Sequence, residues 1–385
     1  MSELILYELK RTGEFSILPG LYDQMRVFSG TPFVTGICCD GVFEIPVILN
    51  GDANCRLIFS FGLSDSGVVT YPIINKSKQK TGLTITFNVV RNYLYKEILS
   101  DQIGYSFTKR FYVGHRGYGE NKVSTEFLEN TVDCMTESYK QGCRTVEFDI
   151  QMSKDGHPIV FHDFNIVSDK EIEGVAPYRV LPNGMFEYYP IQFTLDQFKK
   201  LELNNKWKSP MPSFRDLFES LPDDLGFDIE VKYPSEDLIP FRDVPYPERN
   251  EFIDAILAIM KDYSRNRPIF FSSFDPHIVA MLKLKQKRWP VLQLLCAEEW
   301  ETKEQGINKI LSLIPMHKYL GVDGFVLDAE LLFFDESVMS QILNQGFILC
   351  TYGKPNNTEN GVVKQYNMGV NGIVTDMIKM LQKLV

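Results

Sequence analysis

From about residue 110 onward, short apolar runs alternate with amphipathic helical stretches. That alternation limits the fold more than any other feature of the chain. Strand-like runs fall at 111–115, 145–150, 158–162, 226–231, 269–272, 291–295, 323–327, 347–352 and 371–375. Helical patterns occupy 129–141, 213–220, 249–262, 276–287 and 336–344. A parallel strand reaches its neighbour through a long crossover, which a helix supplies. Repeated strand–helix units therefore predict an α/β protein built on a TIM-type (β/α)8 barrel. Nine runs are one more than such a barrel uses. Lys154-Asp155-Gly156 has the chemistry of a hairpin turn, which makes 145–163 the suspect region. Sequence leaves open which run lies outside.

Residues 1–105 read as a smaller, separate domain, with 106–385 as the barrel domain. The runs 46–49, 55–60 and 83–90 are separated by Gly, Asn, Asp and Pro. Leu83, Ile85 and Phe87 alternate with Thr84, Thr86 and Asn88, as in a half-buried strand. Helix signals are scarce, so an all-β, sandwich-like domain is expected. It holds no cluster of catalytic residue types. A support for the barrel, a protein contact and a homo-oligomer interface all remain open for it.

A net charge of −10 and a pI near 5.2 provide no basic footprint for nucleic acid or an anionic membrane. No apolar stretch approaches the roughly 20 residues that span a bilayer. The start lacks a basic segment followed by an apolar core, so no secretory signal is read there. The expectation is a cytoplasmic protein without a transmembrane segment. Its seven cysteines, without metal-site spacing, are expected to be reduced and mostly buried. The sequons at Asn75 and Asn356 would then be accidental.

Ionisable residues are set into several strand-like runs, where they cost free energy unless paired or bound to a metal. Glu147 and Asp149 are two apart and share one strand face, about 7 Å from each other. Like carboxylates held so close repel unless a cation lies between them. Glu230 is a third, in another such run. Three carboxylates without cysteine or histidine spacing suit a hard ion, Mg2+ or Ca2+, better than zinc. His115 and His162 close the runs 111–115 and 158–162. At the carboxyl ends of barrel strands they would meet at one mouth, as a general acid and base. Arg116 and Lys232 add fixed positive charge suited to phosphate oxygens. Gly117 and Gly119 let backbone approach a ligand, although the spacing is not a dinucleotide fingerprint. Asp163 would orient a neighbour or a helix end. In Glu129-Asn130-Thr131 a helix cap is one reading, and Glu129 as a ligand or substrate contact is the other. A solvated strand face would account for Glu147 and Asp149 alone, but not for all these residues in matching contexts. Together they point to metal-assisted chemistry on a phosphate ester.

These residues fall in ordered motifs: Gly114-His-Arg-Gly117, Glu129-Asn-Thr131, Val146-Glu-Phe-Asp149, Ser153-Lys-Asp-Gly156, His162-Asp163, Ile229-Glu-Val-Lys232, Phe271-Ser-Ser-Phe274 and the run 369–376. Over roughly 112–376 the pattern resembles the glycerophosphodiester phosphodiesterase family. The resemblance implies a TIM-type barrel with His115 and His162 as the catalytic pair. It implies Glu147, Asp149 and Glu230 as ligands of one divalent cation, with Glu129 nearby, and Arg116 and Lys232 as phosphate contacts. The implied reaction cleaves a small-molecule glycerophosphodiester to glycerol 3-phosphate and an alcohol. The metal would engage the glycerol hydroxyls, and one hydroxyl would attack phosphorus to give a cyclic intermediate. Where the family often has tryptophan before an asparagine-bearing loop, this chain has Tyr352, a candidate wall of the substrate site. Within the family the likeness extends to the cytosolic animal branch acting on glycerophosphocholine, through 220–227, 271–275 and the β-rich region. That branch begins with a starch-binding module. No counterpart is read here, so starch or glycogen binding is not implied.

The segment 165–205 is a long insertion holding Tyr178, Phe186, Tyr188, Tyr189 and Phe193. Over a barrel mouth these rings could cage a choline group; packed together they would form a satellite core beneath a long loop. On the same barrel a lysophospholipid or glycerophosphoinositol is a rival substrate, and a non-catalytic binding protein is a rival class.

Overall fold

The computed structural model describes residues 110–122, 126–202, 209–234, 246–296 and 301–384, with the backbone of seven earlier strands. Those strands are β1 (Ser2–Lys10), β2 (Phe15–Ile17), β3 (Val34–Cys38), β4 (Gly41–Leu49), β5 (Asp52–Phe61), β6 (Gly67–Ile74) and β7 (Lys80–Arg91). They pair antiparallel in the orders β3-β1-β7-β6 and β2-β4-β5. The runs 46–49, 55–60 and 83–90 fall within β4, β5 and β7. Their side chains, and with them the expected sandwich core, lie outside the described residues, as does Asn75.

The chain continues with β8 (Phe111–Gly114), α1 (Val132–Lys140), β9 (Thr145–Met152) and β10 (Pro158–Val160). A small insertion sheet follows, made of β11 (Ile166–Ser168), β12 (Arg179–Val180) and β13 (Phe186–Tyr188). Then come α2 (Leu195–Lys199), α3 (Phe214–Ser220), β14 (Gly226–Val231), α4 (Arg249–Tyr263), β15 (Ile269–Ser273), α5 (Pro276–Lys285) and β16 (Val291–Leu295). The rest comprises α6 (Lys303–Leu320), β17 (Gly324–Asp328), α7 (Ala329–Phe334), α8 (Ser337–Asn344), β18 (Ile348–Tyr352), α9 (Glu359–Asn367), β19 (Gly372–Thr375) and α10 (Ile378–Leu381).

Strands β8, β9, β14, β15, β16, β17, β18 and β19 are parallel neighbours in that order, and β8 also pairs with β19, which closes the barrel. The surplus run is β10. It folds back antiparallel on β9, with Pro158 opposite Met152 and Val160 opposite Ile150. The turn between them places Gly156 at φ +80°, a conformation that suits glycine. The expectation that His162 ends a barrel strand is therefore corrected: it follows a strand running the other way.

Side-chain alternation divides the core in two. On β9, Val146, Phe148 and Ile150 join the layer between barrel and helices; on β14, Phe227, Ile229 and Val231 do the same. The residues between them, Glu147 and Asp149, Asp228 and Glu230, take the opposite face, inside the barrel. Val113, Phe270, Leu292, Leu294, Val326, Cys350 and Val374 form a second apolar cluster. The mouth is thus acidic on one arc of strands and largely apolar on the rest.

Helix α6 was not foreseen. Gly306 and Pro315 read as breakers, yet both are inside it. Thr302 caps its start by accepting the Gln305 amide at 3.2 Å. Ile307, Ile310, Leu313 and Met316 pack into the main core, and that burial overrides local propensity. Of the insertion aromatics, Tyr188 and Phe193 pack with Ile159, Ile166, Phe198, Leu201 and Met211 in a satellite core, with Phe186 against them, while Tyr178 is exposed and meets Tyr189 edge to face at 4.7 Å. For Phe186, Tyr188 and Phe193 the satellite-core alternative holds. Asn356 is fully buried and its amide donates to the carbonyls of Thr351 and Val374, which gives its sequon a structural reading. Cys134, Cys143 and Cys350 are buried thiols, and Cys296 is half-buried.

Candidate active site

The β8–α1 loop reaches the mouth through a strained turn. Arg116 sits at φ +46° and Gly117 at +93°. A Cβ on Gly117 would lie 2.4 Å from Cys134 Sγ, so the loop packs against α1 only because that atom is missing. The turn aims the Arg116 N–H at Glu147 Oε2, 2.7 Å away. The Arg116 guanidinium donates to Glu129 Oε1 at 2.9 Å and stands 4.0 Å from Asp149. Thr131, not Glu129, caps α1. Between them Asn130, at φ +59°, donates its side-chain N–H to Asp149 Oδ2 at 2.8 Å.

Glu147, Asp149 and Glu230 each offer an oxygen within 4.8 Å of the others. Glu147 and Glu230 sit on adjacent strands two residues apart in register: Asp228 opposes Glu147, and Glu230 opposes Asp149. Glu147 Oε1 is buried and accepts no hydrogen bond among the described residues. An orphaned oxygen in a cluster of hard acceptors is what a divalent cation would satisfy, so the residues fit Mg2+ or Ca2+. Glu129 is outside that cluster, held by Arg116 and by the Asn121 amide. Lys232 Nζ stands 3.0 Å from Glu230 and 3.6 Å from Asp149. It does not line the open cavity.

Burial, reinforced by the charges of Asp149, Glu230 and Asp228, pushes the Glu147 carboxyl well above its ordinary range. Burial also raises Asp228, against a hydrogen bond donated by Ser272 at 2.8 Å. For Asp149 burial acts in the same sense, but His162, Lys232 and Arg116 outweigh it and hold the group low. Burial opposes the charge on Lys232, yet Glu230 and Asp149 keep its pKa above the usual lysine value.

Both candidate histidines have a carboxylate on Nδ1: Asp376 for His115 and Asp163 for His162, each at 2.7 Å. A neutral imidazole then donates from Nδ1 and keeps Nε2 for proton exchange. His162 arrives through the β9–β10 hairpin, where the Phe161 N–H bonds the Asp149 carbonyl. Asp163 thus orients a neighbour, one of the two roles open to it. Asp376 had no assigned role, although it closes the 369–376 motif. It also accepts from the Asn357 side chain at 2.8 Å and from the Glu120 amide at 2.9 Å. Burial would raise it, but the bond with His115 prevails and holds it down at about 2.

A cavity of about 680 Å3 connects these groups. His115, Arg116, Glu147, His162 and Glu230 line one side, and Phe274, Asp328 and Tyr352 line another. Asp228 and Ser272, also unassigned by sequence, lie along the same cavity. In the ring of strands β17 and β18 are opposite β9 and β14, so Asp328 and Tyr352 face the acidic cluster across the mouth.

Fold and site together define an α/β-barrel protein with a cluster of three carboxylates that could hold a metal ion, flanked by two histidine–aspartate pairs. The chain belongs to the glycerophosphoryl diester phosphodiesterase family, whose sequence pattern matches residues 115–380. It is 26% identical over 379 residues to a glycerophosphocholine phosphodiesterase of Rattus norvegicus, covering 86% of this chain and 54% of that one. A glycerophosphodiester phosphodiesterase of Arabidopsis thaliana is 27% identical over 291 residues, 71% of this chain and 77% of that one. The chain spans about half the length of the mammalian relatives it matches. Among solved structures, an Oleispira antarctica phosphodiesterase in complex with sn-glycerol-3-phosphate matches with a TM-score of 0.52 and 20% identity, over 72% of this chain and 96% of that one. The Thermotoga maritima glycerophosphodiester phosphodiesterase matches at 0.51 and 22%, over 72% and 98%. These structures share the barrel. No described helix is long and apolar enough to cross a membrane.

Proposed function

We propose that this protein hydrolyses glycerophosphodiesters with the help of one divalent cation, Mg2+ or Ca2+, and that glycerophosphocholine is its foremost substrate. The observation that carries the reading is the convergence of Glu147, Glu230, His115 and His162 on one cavity, with Asp149 clustered against the two glutamates and an aspartate on each histidine. Family membership and the glycerophosphocholine phosphodiesterases among the relatives support the choice of substrate.

Glu147, Asp149 and Glu230 would hold the ion, which when bound supplies Lewis-acid neutralisation of the phosphodiester's charge. Arg116, already aimed into the cavity, would position a phosphate oxygen while Glu129 fixes its plane. Lys232 reduces the negative charge an anionic substrate must approach. One of His115 and His162 would accept, at Nε2, the proton of the attacking glycerol hydroxyl. The other would deliver a proton from Nε2 to the departing alkoxide, and Asp376 and Asp163 hold the two rings in the required tautomer. Water would then open the cyclic phosphate, with the roles of the histidines reversed, leaving glycerol 3-phosphate and free alcohol.

The test is a timed assay of the full chain with glycerophosphocholine, glycerophosphoethanolamine, glycerophosphoinositol and a lysophosphatidylcholine. Each is run with Mg2+, Ca2+ or chelator, following glycerol 3-phosphate, choline and phosphocholine. Metal-dependent appearance of glycerol 3-phosphate with choline is the expected result. Phosphocholine would place the cleavage at the other P–O bond, and silence on every substrate from folded, metal-loaded protein would refute the proposal.

A further inference from the structure

The wall facing the acidic cluster has a composition that phosphate chemistry does not require. Phe274 and Tyr352 meet edge to face, with centroids 6.5 Å apart and planes at 89°. Two rings at a right angle form a corner that presents aromatic surface from two directions. Tyr352 is held in place because its hydroxyl donates to the Leu295 carbonyl at 3.1 Å. Asp328 is its register partner on the adjacent strand, at the last residues of β17 and β18. The next residue, Gly353, lies at φ +99°, and a Cβ there would come within 3.0 Å of Asp328 Oδ1. A glycine at this point keeps the loop off the carboxylate. Asp328 is itself fixed, accepting the Glu330 amide at 2.8 Å as the cap of α7.

We infer that Phe274, Tyr352 and Asp328 form a subsite for a cationic alcohol group, a quaternary or primary ammonium carried by the diester. The inference rests on the activity proposed above and identifies the chemistry of its leaving group. An ammonium is attracted to aromatic faces and, over a longer range, to a carboxylate; a neutral alcohol gains from neither. Lys303 and Lys354 also line this cavity, Lys303 lying 3.8 Å from Glu330 and over the Phe334 ring.

The experiment compares two substrates of one shape: glycerophosphocholine and the glycerophosphodiester of 3,3-dimethylbutanol, in which carbon replaces the quaternary nitrogen. Wild-type protein should favour the charged substrate in kcat/KM by about 5–30-fold, the range of a desolvated cation–π contact. Phe274→Leu and Tyr352→Leu should each bring that ratio towards one, mainly through KM. Asp328→Asn, which keeps the α7 cap, should lower it more at low salt than at high salt. Equal use of the two substrates by wild type overturns the subsite while leaving hydrolysis intact. So does an equal loss on both in the leucine variants, which would place the aromatic corner against the glycerol half. Failure of wild type to cleave either substrate overturns both the activity and the subsite.

Discussion

Replacing Glu147 with glutamine should stabilise the metal-free protein and remove its response to a divalent cation. Oxygens of Glu147, Asp149 and Glu230 approach within 4.8 Å. Two unit charges at that separation repel by about 3 kcal/mol at an effective dielectric of about 20. Arg116 and Lys232 offset part of this, because both also contact the cluster. Glutamine keeps the side-chain volume and an oxygen for the Arg116 N–H, now 2.7 Å from Glu147. The neutral acceptor forgoes about 1 kcal/mol of charge assistance. A net gain of about 1–2 kcal/mol remains, equivalent to a rise in Tm of about 2–8 °C for a domain of this size. The assay is thermal unfolding at pH 8 in chelator, followed by titration with Mg2+ or Ca2+. Wild type should start lower and rise with the ion; Glu147→Gln should start higher, stay level and show no turnover. A metal-free variant no more stable than wild type, or an equal metal-induced rise in both, would refute the reasoning.

Asp376→Asn should reduce kcat by about 10²–10⁴ with little change in KM, because the wrong His115 tautomer is then favoured. The same variant should lose acid stability. The folded carboxyl is held at about 2, below its ordinary 3.8, so its contribution of about 2 kcal/mol is present above pH 3.8 and lost as pH falls towards 2. Unfolding curves of wild type and variant should therefore converge near pH 2; constant separation down to that pH would count against the pair. Gly117→Ala should destabilise the domain by about 2–4 kcal/mol in urea unfolding, given the contact with Cys134 and the positive φ. A cost under about 1 kcal/mol would mean that the loop repacks freely.

Much of the site was legible because strand periodicity is local. Glu147 and Asp149, Asp228 and Glu230 must share faces once β9 and β14 are strands, whatever surrounds them. The eight barrel strands were legible for the same reason. Helix α6 was not, since Gly306 and Pro315 carry a local signal that packing overrules. His162 was read as the end of a barrel strand although the hairpin turn at Lys154-Asp155-Gly156 signals a reversal; which of the two runs stays in the barrel is decided by pairing with β8 and β14. Lys232 was read as a phosphate contact and Glu129 as a possible ligand or substrate contact; which carboxylate or guanidinium each engages depends on loop geometry.

By itself, the sequence determined which residue types share a strand face, and hence that acidic, histidine and basic groups would gather at a barrel mouth. Only the tertiary structure decided who meets whom. Asp376 stands 261 residues from the His115 it orients, and the two touch because β19 pairs with β8. Phe274, Asp328 and Tyr352 come from three different strand ends and form one wall by the same closure. Periodicity is a property of a few consecutive residues, whereas closure depends on the stagger of every strand in the ring.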